Sequence, residues 1–144
     1  MRSLGLILAA SLAFAQSPEV QRVLDESKKQ MGQQHFDAAI ELAQQAIEMS
    51  RATNDQKALA ASYLRLSFDC FYARKLPAAI AAAEQSQALA KSIDDNGLLA
   101  KALGAEADAL RDEGKLEDAR ETYERQLVYI RETGTSAAKR STSA

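Results

Sequence analysis

The chain has no Trp, two Pro, one Cys and one His in 144 residues, and aromatics make up only 6% of it. Each shortage excludes something. A lone Cys70 leaves no internal disulfide, and with Phe68 and Phe71 nearby it reads as a small buried hydrophobe. A lone His35, placed in an interhelix turn beside Phe36, has no nucleophile or orienting carboxylate tied to it, so it reads as a surface histidine rather than a catalytic base. There is no phosphate-binding glycine loop, no Cys/His metal spacing and no Asn-x-Ser/Thr acceptor. Asp94-Asp95-Asn96-Gly97 fails as a calcium loop. Aligning Gly97 with that loop's Gly puts Ser92 where its first Asp belongs and Leu103 where its closing Glu belongs. No catalytic residue, metal ligand or cofactor site is expected.

What is abundant is Ala, Leu, Glu, Gln, Lys and Arg, the residues that lose least on entering a helix. No stretch shows the β-branched alternation of strands. The fold class expected is all-α. MRSLGLILAASLAFA stands apart: Arg2, an apolar run from Leu4 to Phe14, then Ala13-Phe14-Ala15 as a cleavage site. Residues 1–15 are expected to be a signal peptide, too short for a comfortable membrane span, which implies a periplasmic or secreted protein with no integral span after cleavage. From Gln16 to Thr133 all 20 acidic residues remain, against 15 basic ones once Arg2, Lys139 and Arg140 are set aside, a net charge of −5. That balance gives no footprint for nucleic acid or an anionic membrane.

The sequence repeats. Phe36-Asp37-Ala38-Ala39-Ile40 aligns with Leu76-Pro77-Ala78-Ala79-Ile80 and Leu116-Glu117-Asp118-Ala119-Arg120, with a spacing of 40 between the alanines. Met49, Leu89 and Tyr129 form another column, as do Arg51, Lys91 and Arg131. Three units follow, at about 18–53, 54–93 and 94–133, within a repeat domain over 16–133. Each holds two helices: first helices at roughly 18–33, 55–73 and 95–113, second helices at roughly 36–52, 76–92 and 116–132. Thr53-Asn54-Asp55 and Asp94 to Gly97 supply turns and caps, and Pro77 sits in a first turn where its missing N–H costs nothing. The tail 134–144 is small, polar and expected to be disordered.

A bulky residue followed three positions on by Ala, with small or aromatic residues four and seven further, resembles the second helix of a tetratricopeptide repeat. Ala39, Ala43 and Ala46 fit, as do Ala79, Ala83 and Ser86; Ala119 and Tyr123 fit, whereas Gln126 departs. The 40-residue period and the missing terminal Pro are similar to the family's longer-helix variety. A HEAT-like repeat shares the period but lacks this alanine spacing. The resemblance implies a right-handed superhelix of three pairs, packed through Phe36, Ala39, Ala43, Ala46, Leu76, Ala79, Ala83, Leu116, Ala119 and Tyr123. It also implies a concave partner-binding groove lined by first helices. Carried over by offset from each signature alanine, the groove residues are Leu24, Lys28 and Met31 in unit one, Leu64, Phe68, Phe71 and Tyr72 in unit two, and Asp108, Arg111 and Asp112 in unit three. Phe68 and Phe71 have an equal claim to packing between units. Leu127, Tyr129 and Ile130 are expected on an uncapped apolar end.

The function expected is therefore non-enzymatic: an exported scaffold binding protein or peptide through the groove and the exposed stack end. The alternatives are a sensor or scaffold portion of a larger signalling or caspase-like peptidase architecture, and a module that self-associates through its C-terminal helix pair.

Overall fold

A computed structural model describes residues 17–142. The signal-peptide reading of 1–15 lies outside them. The described residues form six helices: α1 (Pro18–Gly32), α2 (Phe36–Ala52), α3 (Gln56–Tyr72), α4 (Leu76–Ser92), α5 (Asn96–Asp112) and α6 (Leu116–Thr142). The fold is all-α, a solenoid-like stack of three antiparallel pairs, and none of the described residues is in a strand.

The helices are punctuated with a strict rhythm. Each of the first five ends in a three-residue turn whose middle residue has positive φ: Gln34, Asn54, Arg74, Asp94 and Gly114. The amide after that residue reaches back to close the turn, as in His35 to Gln30, Asp55 to Ser50, Lys75 to Cys70, Asp95 to Ala90 and Lys115 to Leu110. This is the six-to-one bond of a Schellman motif, repeated every twenty residues. Only Gly114 adopts the left-handed region without a Cβ penalty. The two turns that join units end in a capping aspartate: Asp55 accepts from the Ala58 amide and Asp95 from the Leu98 amide, each at 3.0 Å.

Consecutive helices pack along the whole chain, and α1 also touches α3 and α3 touches α5, whereas α2, α4 and α6 do not touch one another. First helices crowded together and second helices splayed apart make a stack that curves, with α1, α3 and α5 on the inside. The alanine stripe is what allows this approach. Ala39, Ala43, Ala46, Ala79 and Ala83 are completely buried and Ala119 nearly so. Ser27 and Ser67, forty apart, donate to the carbonyls of Ala39 and Ala79 at 2.9 and 2.7 Å, tying each first helix to its own second helix.

Unit three solves the same crossing differently. The column Leu24, Leu64, Gly104 runs opposite the column Ala46, Ser86, Gln126. In unit one Leu24 packs with Ala46 in a single cluster. In unit three the bulk has changed sides: a Cβ built on Gly104 would lie 2.4 Å from the Gln126 amide nitrogen. The atypical Gln126 is thus accommodated by a glycine across the crossing.

One expectation fails. Residues 134–144 were expected to be a disordered tail, yet α6 continues through Thr142, ten residues beyond the corresponding ends of α2 and α4. At the other five helix ends a left-handed residue turns the chain onto a following helix that packs against it. Gly134 occupies the matching position but keeps the helix going, since no further helix follows among the described residues, and Ala138, Lys139 and Arg140 are good helix formers.

Candidate functional site

The inner face of the stack carries the predicted groove residues, and the structure divides them into three groups. Leu24, Lys28, Leu64 and Phe68 come together. They line a cleft of about 250 Å³ between α1 and α3, with Asp25 and Arg65 at its rim. Leu24 and Leu64 are buried at its floor, and Phe68 is half-buried against Leu64, Ala83, Ala102 and Ala105. Lys28 and Asp25 are exposed.

Arg65 is fixed from below. Its guanidinium lies 5.4 Å from the Phe68 ring centroid and 2.8 Å from the carboxylate of Asp69, which is fully buried. Asp69 also meets the Ser27 hydroxyl of α1 at 2.5 Å. That hydroxyl has one hydrogen and two acceptors within reach, the Asp69 carboxylate and the Ala39 carbonyl. Ser27 thus donates to Asp69 while also lying within reach of the Ala39 carbonyl. Burial pushes the Asp69 carboxyl above the ordinary range, and the Ser27 hydrogen bond and the Arg65 charge oppose that push. Sequence reading missed both Arg65 and Asp69. The signal available was the column Lys29, Asp69, Ala109, where a carboxylate takes the place that alanine holds in unit three.

Met31 and Tyr72 line a second cleft of about 370 Å³, together with Gly32, Gln34 and Phe36. Tyr72 is 57% exposed and stacks edge-on against Phe71 at 5.4 Å. Phe71 itself packs against Ile40, Cys70, Ala79 and Ala109. Of its two claims, packing between units is the one the contacts support.

Asp108, Arg111 and Asp112 are together but already engaged. Asp112 lies between Arg74 at 2.7 Å and Arg111 at 3.1 Å, and these two bonds hold its carboxyl below the usual range. Arg111 also donates to the Tyr123 hydroxyl at 3.1 Å, and that hydroxyl donates to Asp108. Burial, then the bond to Asp108, raises the Tyr123 phenol. This cluster fastens the turn after α3 to α5 and α5 to α6, so its charges are largely balanced locally.

His35 is exposed, with its ring 2.8 Å from Gln30. Cys70 is buried, and burial, with Asp69 beside it, pushes its thiol up. The two are not brought together. Among the described residues there is no group of three or more His, Cys, Asp or Glu placed to hold a metal, and no helix is long and apolar enough to cross a membrane.

The two ends of the stack are the remaining candidate surfaces. At α6, Leu116, Leu127, Val128 and Ile130 are 66%, 45%, 51% and 45% exposed. Tyr129, expected among them, instead packs against Ala90, Leu99 and Leu103. Its position, 220° around the helix from Leu116, turns it inward toward α5. Comparison with protein-family models, with curated proteins and with solved structures finds no match to this chain.

Proposed function

We propose that the protein is an exported, non-enzymatic scaffold of tetratricopeptide type that binds protein or peptide through its inner groove and its open stack end. The observation that carries this reading is the cleft between α1 and α3. Its floor of Leu24, Leu64 and Phe68 is apolar, and its rim of Asp25, Lys28 and Arg65 carries both signs of charge. An apolar centre inside a polar rim is the anatomy of protein recognition surfaces. Arg65, pinned by Asp69, is preorganised, so little side-chain freedom is lost when a ligand engages it. The second cleft extends the surface with the exposed Tyr72 ring, an amphipathic contact residue. Export rests on the sequence of residues 1–15.

The test is affinity capture from an exported-protein fraction by the full chain and by a variant carrying Lys28→Glu and Tyr72→Ala. Both positions are exposed, so helicity by circular dichroism should not change. Groove binding predicts loss of the captured protein in the variant. Equal capture by both chains would count against the groove.

A further inference from the structure

Three of the four exposed apolar residues of α6, all but Val128, stand at positions that are buried or half-buried in unit two. Ile130 corresponds to Ala90, which packs against Leu99 and Leu103 of α5; Leu127 corresponds to Gln87, which bonds Glu106 of α5 at 2.5 Å. Leu116 corresponds to Leu76, which is 9% exposed in place of 66%. These α6 side chains therefore face the space that the next unit's first helix would fill. Leu116, Leu127 and Ile130 lie on one flank of α6, within about 60° of each other at 100° per residue.

The first helix of another copy, α1, cannot fill it. Its outward positions, equivalent to Leu99, Ala102, Glu106 and Ala109 of α5, are Glu19, Arg22, Glu26 and Lys29. Head-to-tail stacking would bury four charges against leucine and isoleucine. Charge along α6 favours another arrangement. Residues 116–124 carry four acidic side chains and one basic, a net of −3; residues 125–142 carry four basic and one acidic, a net of +3. The midpoint of the 27-residue helix is residue 129, flanked by Leu127 and Ile130.

We propose that α6 is an isologous dimerisation helix: two copies pair antiparallel along it, joining Leu127 and Ile130 of both at the centre and laying the acidic half of each over the basic half of the other. A two-fold interface needs one self-complementary patch, and a helix of opposite half-charges with an apolar midpoint is self-complementary only when antiparallel. The helix is about 40 Å long, at ~1.5 Å per residue. Its extension to Thr142 centres the apolar cluster within that length. This inference rests on the reading of the stack end as a protein-contact surface, and it is independent of the groove.

Sedimentation velocity of the full chain across a concentration series tests it. The mass should rise with concentration from 15.6 kDa to twice that value and stop there. Raising salt from roughly 0.05 to 0.5 M should weaken association severalfold, since exposed charges are then screened within a few ångströms. Leu127→Asp with Ile130→Asp should give a monomer of unchanged helicity. A sharper arm uses two charge variants: Glu117→Lys, Glu121→Lys and Glu124→Lys in one, Arg131→Glu and Lys139→Glu in the other. Each alone should be monomeric, and an equimolar mixture should dimerise. A wild-type monomer at hundreds of micromolar overturns the proposal, as does association that survives the Asp substitutions. Self-association of either charge variant overturns the antiparallel arrangement. The Lys28→Glu, Tyr72→Ala variant should dimerise normally, which separates failure of the groove from failure of the dimer.

Discussion

The two ends of the stack are built from the same repeat and finished in opposite ways. At the α1 end, the column that reads Leu59, Ser62, Leu66, Asp69 in α3 and Leu99, Ala102, Glu106, Ala109 in α5 becomes Glu19, Arg22, Glu26, Lys29. Alternating charges at three- and four-residue spacing make a solvated face that needs no cover. At the α6 end, the small or polar residues Gln87 and Ala90 are replaced by Leu127 and Ile130, which are larger, more apolar and exposed. A repeat protein requires a polar outer face where its stack stops. One end meets that requirement and the other does not. That difference is the ground for the proposal that another copy docks on α6.

The largest effect expected within this comparison sets a buried leucine against an exposed one. Leu103 of α5 is fully buried in a cluster with Leu99, Ala90 of α4 and Tyr129 of α6, so Leu103→Ala should cost about 2–5 kcal/mol in chemical denaturation. Leu127→Ala, on the open face, should stay within about 0.5 kcal/mol at concentrations where the chain is monomeric. Comparable losses at both sites would mean that the α6 face is covered within a single copy.

Next comes the exchange of bulk in unit three. Gly104→Leu should destabilise by about 1–3 kcal/mol, because the new side chain meets Gln126. Adding Gln126→Ala recreates the unit-one pair of Leu24 and Ala46, and the double variant should recover most of that loss. Additive losses would show that the two columns do not compensate.

The pH dependence comes third. A carboxyl whose folded pKa is raised binds more protons in the folded than in the unfolded state, so its contribution falls as pH rises from the ordinary aspartate range through the raised value. Asp112 and Glu117, held low by Arg74 and Arg120 respectively, act in the opposite sense: their contribution is present above the ordinary carboxylate range and is lost as pH falls. The stability difference between wild type and Asp69→Asn isolates the first effect. Wild type should lose ground to the variant as pH rises through that window, and a difference independent of pH would contradict the burial argument.

The smallest effect is in a turn. Gln34 pays the left-handed penalty that Gly114 avoids, so Gln34→Gly should stabilise by about 0.5–1 kcal/mol. Thermal unfolding checks it, and a loss of stability would show that the Gln34 side chain contributes more than its backbone conformation costs.

Most of the fold was legible in the sequence because the repeat is written in volumes and periods. Alanines at 39, 79 and 119 report a close crossing, and a forty-residue period fixes where every helix must lie. The exchange between Gly104 and Gln126 was not legible. Each residue looks anomalous in its own column, and only the crossing shows that one makes room for the other. The Arg65 and Asp69 pair escaped for a similar reason, since a buried carboxylate is intelligible only beside the Ser27 and Arg65 that surround it. The tail was misread because composition describes what a segment tolerates, whereas a helix already running continues until packing or a turn stops it. Within the groove, offset alone could not tell Phe71, which packs between units, from Tyr72, which is open to a ligand.

The contrast between the ends is tested most directly by hydrogen exchange of the full chain at low and high protein concentration, read by mass spectrometry along the sequence. Amides of α6 between residues 116 and 130 should gain protection as concentration rises, while those of α1 exchange at the same rate throughout. Protection gained in α1, or none gained in α6, would contradict the account.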